Sequence, residues 1–235
     1  MQAAPMCPDE EDRVAALRAI DILDTPEEQA YDRLTELAAR ICGTPIALVS
    51  LLDEQRQLFK SHHGLPTRQT GRVESFCAHA VAAREPLLVP DAGRDARFHD
   101  NPLVTGEPYI RAYAGVPLFT RNGHALGTLC VIDREVRTLS DEQISSLKAL
   151  AQQVEILIEL QALRQSLSER EEALRRNREL LEGAQEVWDA LLWDWDLRNG
   201  RMRHWRDHGT MFGYPPSGQD SDIQAWIART HPDDG

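Results

Sequence analysis

The chain has 235 residues, 42% hydrophobic and 27% charged, a soluble globular composition with room for one domain plus further elements. Its formal net charge of −12 leaves no basic face for nucleic acid and no attraction to anionic lipid. No apolar run of 18 or more residues is present to span a bilayer, and the acidic segment Met1–Glu11 lacks the apolar stretch of a secretory signal, so a cytoplasmic location is expected.

The four cysteines, at 7, 42, 77 and 130, show no CxxC pairing and are expected to be free thiols in a reducing compartment. All of them precede residue 131, whereas all five tryptophans follow residue 187. Between the two groups lies a stretch of Leu, Glu, Arg and Gln without Pro or aromatics. The chain is therefore expected to have three parts: 1–155, 156–187 and 188–235.

In the first part, Val14, Leu17 and Ile20 share one face of a short helix. Thr25-Pro26-Glu27-Glu28 has the form of a capping box with Pro at the first helical position. The helix it predicts carries Tyr31, Leu34, Leu37, Ala38 and Ile41 on its inner face and stops at Gly43. The run 45–52 is short and β-branched, which predicts a strand that turns at 53–56 and returns through 57–61. Ser75 is placed to cap a short helix containing Phe76, Cys77 and His79. A strand is expected at 86–89, then a hairpin of 109–119 with 125–133 around Asn122-Gly123. Ser140-Asp141-Glu142-Gln143 is a second capping box. Helices flanking an antiparallel sheet make an α+β domain, not a doubly wound nucleotide fold.

The segments RAIDILDTPEEQAYDRLTELAARICGTPIALVSLLDEQRQLFKSHHGL, ESFCAHAV, LLVPDAGRDARFHDNPLV and IRAYAGVPLFTRNGHALGTLCVIDREVRTLSDEQ resemble bacterial GAF domains that precede PAS, histidine-kinase or GGDEF modules. The resemblance runs almost unbroken from about Arg18 to Leu160. It implies a six-stranded antiparallel sheet with a ligand pocket on one face and the terminal helices, which often dimerise, on the other. By the same resemblance Phe59, Phe76, Cys77, His79, Tyr113 and Cys130 come from elements around one cavity. A filled, closed core is the alternative for Phe76 and Cys130.

In the connector, Leu160, Leu167, Leu174 and Leu181 recur every seven residues. Ile156 and Leu163 hold the companion positions, followed by Arg170, Asn177 and Ala184. This a/d pattern with polar interruptions predicts a parallel dimeric coiled coil, with Asn177 fixing register at a cost in stability. The alternative is an amphipathic helix lying on its own domain. A continuous helix over 141–187 would be on the order of 70 Å long at ~1.5 Å per residue. Gly183 costs it about 1 kcal/mol relative to Ala and marks an expected hinge.

In the last part, Trp193–Leu197 and Met202–Trp205 alternate like paired strands around Asn199-Gly200. WDWDLRNGRMRHWRDHGTMFGYPPSG and WIARTHPDDG resemble the start of a PAS domain. The resemblance stops at the His231–Asp234 turn, so this partial PAS fold is expected to be weakly stable alone. Any enzymatic output is expected beyond residue 235, from a sensor histidine kinase or, second, a diguanylate cyclase.

No His/Cys spacing typical of a metal site occurs, no Walker-type loop or GGDEF signature is present, and no cofactor is indicated. GAF-type reductases of free methionine sulfoxide supply an enzymatic alternative through Cys77 and Cys130, although SFCAHA and GTLCVID depart from that family's arrangement. Cyclic-nucleotide and bilin signatures are missing too, with Ala78 separating Cys77 from His79. Arg94–Phe98 reads equally as a pocket lid or as a solvated loop closed by ion pairs. The expectation is a homodimeric sensor of an unidentified small molecule, without catalysis of its own.

Overall fold

The structure is a computed structural model; it describes residues 1–188, 193–196, 198, 201–204 and 220–222, with side-chain surroundings up to Leu180 and at Asp196 and Arg198. The chain divides into two compact units, 1–167 and 168–235.

The first unit is α+β. In chain order it contains α1 (Glu10–Ala19), α2 (Gln29–Cys42), β1 (Ile46–Leu52), β2 (Arg56–His63), β3 (Gln69–Gly71), α3 (Phe76–Ala83), β4 (Leu87–Val89), α4 (Pro102–Thr105), β5 (Ala112–Phe119), β6 (Ala125–Asp133) and the start of α5 (Asp141–Trp188). The six strands are antiparallel neighbours in the order β3-β2-β1-β6-β5-β4. β1 and β6 are central and buried at every residue, so both faces of the sheet are covered. Alternation along the strands splits the core. Ala47, Val49, Leu51, Leu129 and Val131 face α1, α2 and α5. Ile46, Leu48, Cys130 and Ile132 face the layer containing α3.

Local chemistry explains most of the elements. The β5–β6 turn places Gly123 at φ 87°, the positive-φ geometry that Asn-Gly tolerates. Ser75 Oγ accepts from Ala78 N at 3.0 Å and opens α3. Ser140 and Gln143 cap α5 reciprocally: Gln143 N donates to Ser140 Oγ at 3.2 Å, and Ser140 N donates to Gln143 Oε1 at 3.0 Å.

The first capping box is a correction. α2 begins at Gln29, its N-cap is Glu28, and no side chain caps it. Thr25 Oγ1 donates to Ile22 O at 2.8 Å and accepts from Lys60 Nζ at 2.6 Å. Lys60 is buried on β2, and its ammonium also donates to Pro26 O at 3.0 Å and pairs with Glu28 at 2.6 Å. A buried cation needs acceptors, and the Thr25–Glu28 arch supplies them instead of capping a helix.

The inner face of α2 is also rotated from the expected one. Tyr31, Thr35, Ala38, Ala39 and Cys42 are buried, while Leu37 is 43% and Ile41 36% exposed. The helix turns its small residues to the sheet, and Thr35 Oγ1 meets Ser61 Oγ of β2 at 2.8 Å.

α5 runs for 48 residues and passes through Gly183. Leu147, Ala151, Val154 and Ile158 are buried against the sheet. The second unit contains β7 (Trp193–Asp196), β8 (Arg201–His204) and β9 (Asp220–Asp222) in an antiparallel sheet. β7 and β8 pair from Trp193↔His204 to Asp196↔Arg201, as the alternating sequence leads one to expect. The rest of the PAS-like segment, including 205–219 and 223–235, and the side chains of Leu181 and Ala184 lie outside the described residues. Among the described residues, no helix is long and apolar enough to cross a membrane.

One buried charge cluster ties the sheet to its flanks. Arg13 of α1 is fully buried; it donates to Leu52 O at 2.7 Å at the end of β1, and to Ala125 O at 3.4 Å at the start of β6. Glu10 accepts from Arg13 at 2.6 Å and from Arg72 at 2.5 Å. Burial opposes ionisation of Glu10, but the two guanidinium groups outweigh it and bring its carboxyl down from 4.5 to about 2. The resulting stabilisation is complete above pH 4.5 and is lost as pH falls through about 2. Urea unfolding at pH 6 should therefore show Glu10→Gln less stable than the parent by about 1–2 kcal/mol, with the gap closing towards pH 2. A gap independent of pH would exclude Glu10 as the titrating group.

Candidate functional site

The sheet face opposite α5 carries a cavity of about 410 Å³. Leu48, Phe59 and Tyr113 line it from the strands, Phe76 and Cys77 from α3, and Ile110 from the segment leading into β5. Its wall is mainly apolar, with Gln57, Thr70 and Ser75 adding hydrogen-bonding groups, and Glu107 and Arg134 adding opposite charges. The makeup is that of a small-molecule site.

Four of the six residues expected at the pocket, Phe59, Phe76, Cys77 and Tyr113, line this one cavity. Cys130 lies behind the wall, fully buried, with its Sγ 3.8 Å from Cys77 Sγ. His79 is turned away and does not line it. Its Nε2 is 3.1 Å from Gln2 O, and its ring stands edge-on to Phe98 with centroids 4.8 Å apart. Burial in that contact lowers its pKa. The reason is the helical period: Cys77 and His79, two residues apart in α3, point about 200° apart around the axis.

The segment Arg94–Phe98 forms no lid over the cavity. Asp95 pairs with Arg97 at 2.7 Å and Asp91 with Arg94 at 3.4 Å, the loop closed by ion pairs. Phe98 is buried and stacks on Phe76 at 3.9 Å, which fixes the α3 side of the wall.

Behind the wall, polar groups converge on one sulfur. Tyr113 OH donates to Cys77 Sγ at 3.2 Å and Gln57 Nε2 donates at 3.3 Å. Ser75 Oγ donates to Gln57 Oε1, orienting that amide. Ser50 and Thr128, paired across β1 and β6 with hydroxyls 3.1 Å apart, complete the cluster. Burial works against ionisation of Cys77, but hydrogen bonds from Cys130, Ser50, Thr128 and Tyr113 outweigh it and hold the thiol below its ordinary value. Cys130 is raised well above the thiol range by its hydrogen bond to Cys77 and by burial. Tyr113 is raised by burial and then by the neighbouring Cys77 charge.

Sequence reasoning missed Gln57, Ser75 as an orienting group, and Gly115. Gly115 sits opposite Cys130 in the β5–β6 ladder, and a Cβ there would lie 2.1 Å from Tyr113 OH. The bare glycine is what lets the tyrosine lie along its own strand and reach the thiols. A glycine inside an apolar strand, two residues after a tyrosine, is the signal that could have pointed to this close approach. Among the described residues, no group of three or more His, Cys, Asp or Glu side chains is arranged to hold a metal ion.

A cyclic di-GMP phosphodiesterase of Pseudomonas aeruginosa is 43% identical over 155 residues, 66% of this chain but only 26% of that protein. Among solved structures, the GAF domain of an Acinetobacter phosphoenolpyruvate-protein phosphotransferase is 21% identical with a TM-score of 0.46, covering 63% of this chain and 92% of its own. The free methionine-R-sulfoxide reductase of Neisseria meningitidis is 17% identical with a TM-score of 0.48, covering 71% of this chain and 99% of its own. The GAF domain family matches residues 26–158, more than half of the sequence, and the chain belongs to that family.

Proposed function

We propose that the chain is the input region of a cytoplasmic signalling protein. Its cavity takes a small organic molecule, and α5 joins two copies and carries the response towards an output domain. The observation that carries this reading is the placement of the cavity and α5 on opposite faces of one sheet, with β1 and β6 contributing side chains to both. The cavity wall favours a compact, mainly apolar ligand with one hydrogen-bonding end, met by Gln57, Thr70 or Ser75. Residues 188–235 would begin a PAS domain, on their sequence resemblance. Of the two outputs that the sequence suggests, the relatedness to a cyclic di-GMP phosphodiesterase favours cyclic di-GMP turnover over a histidine kinase.

Dimerisation is supported by the division of labour on α5. Val154 and Ile158 are buried against the sheet, whereas Ile156, Leu160, Leu163, Leu167 and Leu174 are 46–69% exposed. Residues two apart lie on nearly opposite sides of a helix, so the heptad stripe is separate from the face that packs on the chain's own sheet. Arg170 and Asn177 are exposed on the same rod. A second copy of the chain in parallel register would cover the stripe.

Replacing Leu167 and Leu174 together with Lys should convert a dimer to monomers in sedimentation velocity, because two charges in the seam are strongly unfavourable. The GAF unit should keep its thermal stability, since both side chains are exposed in the single chain. An unchanged dimer would move the interface elsewhere.

Native mass spectrometry of the purified protein should reveal a retained small molecule. Leu103→Trp, which adds a ring at the half-buried cavity wall, should abolish that adduct while changing stability by no more than about 1–3 kcal/mol. His79→Ala should leave the adduct intact. No adduct on the parent, or one that survives Leu103→Trp but not His79→Ala, would defeat the assignment of this cavity.

A further inference from the structure

The cavity has a feature that binding of an organic ligand does not use: a dithiol at its inner wall. Cys77 lines the cavity, and Cys130 lies immediately behind with 3.8 Å between the sulfurs. A disulfide needs about 2.05 Å, so closure asks for a movement of roughly 1.8 Å. β6 is held by ladders on both sides, to β1 and β5. The short helix α3 is joined to the sheet by side-chain packing rather than by a ladder, and Cys77 sits in its first turn just after the Ser75 cap.

We propose that Cys77 and Cys130 form a reversible redox pair, in which a small hydroperoxide entering the cavity oxidises Cys77 and Cys130 resolves the product as an intramolecular disulfide. The pair stands independently of any organic occupant, because it requires only the two thiols and the cavity beside them.

The chemistry balances. The Cys77 thiolate attacks one peroxide oxygen, the O–O bond breaks, and the leaving oxygen takes a proton to become water or an alcohol. Cys77 is then a sulfenic acid. Cys130 gives up its proton and attacks the Cys77 sulfur, the S–O bond breaks, and water departs as the S–S bond forms. Two thiols lose two electrons, and the hydroperoxide gains them.

The surroundings fit the two roles. Hydrogen bonds from Tyr113 and Gln57 stabilise a thiolate at Cys77, the group the cavity reaches. Cys130 keeps its proton until Cys77 has been oxidised and is screened from the cavity, as a resolving thiol should be. The other two cysteines are poorly placed for this chemistry. Burial raises the thiols of Cys7 and Cys42 above the usual range, and neither lines this cavity.

The test uses the full chain and hydrogen peroxide. After limited treatment, alkylation and tryptic digestion, peptides 73–84 and 122–134 should appear linked, and dithiothreitol should release them. Loss of free thiol at Cys77 should be about tenfold or more faster than at Cys7 or Cys42. Cys130→Ser should instead trap a sulfenic acid at Cys77 that dimedone labels, and Cys77→Ser should leave Cys130 unreacted. The parent alone decides the matter if either variant fails to fold. Earlier loss of Cys7 or Cys42, loss of Cys77 without the linked peptide, or no loss at doses that oxidise the denatured chain would each overturn the proposal.

Discussion

Everything in the GAF unit depends on two strands that have no face in water. β1 and β6 are buried along their whole length, so each must satisfy its backbone through neighbours and its side chains through packing on both sides. That requirement keeps both strands away from the edges of the sheet, where one row of backbone groups would lack a neighbour. It also fixes close approaches such as Gly127, where a Cβ would lie 1.9 Å from Ser50 O of β1. With helices on one face and the α3 layer on the other, the strands become a partition one residue thick between a helical scaffold and a cavity.

Charge is used sparingly inside this partition, and each buried cation performs a joining task. Arg13 closes the ends of β1 and β6 from α1, and Lys60 holds the loop that leads into α2. Such groups stabilise only while every donor is met; removing one partner leaves an unpaired buried charge and costs more than the pair contributes. In this fold their acceptors come from the ends of β1 and β6 and from the 25–28 arch, which ties α1 and the start of α2 to the sheet.

The sequence revealed the periodic parts of this design and concealed the tertiary ones. Strands with short apolar runs, the Asn122-Gly123 hairpin, the Ser75 and Ser140 caps and the 48-residue α5 all follow from local chemistry, and all are found. The Thr25–Glu28 box looked equally good locally, but Lys60, 35 residues from Thr25, claims its hydroxyl and a carbonyl. The inner face of α2 went astray for a related reason: close contact with the sheet selected Ala38 and Ala39 over the larger Leu37 and Ile41. At the site, residue type and family resemblance identified the aromatics and the thiols. They did not reveal that one turn of α3 sends Cys77 inward and His79 outward, or that an empty position at Gly115 gives Tyr113 its path.

The same geometry bears on how an event at the cavity would reach the exposed stripe of α5 in the proposed signalling role. β5 passes the site at Tyr113 and ends at Phe119, whose backbone N–H donates to Glu155 of α5 at 2.7 Å. One turn further along α5, Glu159 pairs with Arg121 of the β5–β6 hairpin at 2.7 Å. Six residues of strand therefore join the tyrosine that contacts Cys77 to the helix that carries the heptads, a span of about 20 Å. β5 is laddered to β6 along its length and to β4 at 113–115, so a displacement of Tyr113 would have to pass through that ladder. Contiguity alone is not coupling. Coupling requires that occupancy or oxidation of the site favour one of two settings of α5, by no more than the difference in free energy with which that event interacts with the two. The polar seams of the rod, with Arg170 and Asn177 interrupting the leucines, suit it to such a role. They specify one register at a cost in stability, so a pair of these helices would be only marginally held and open to a small bias.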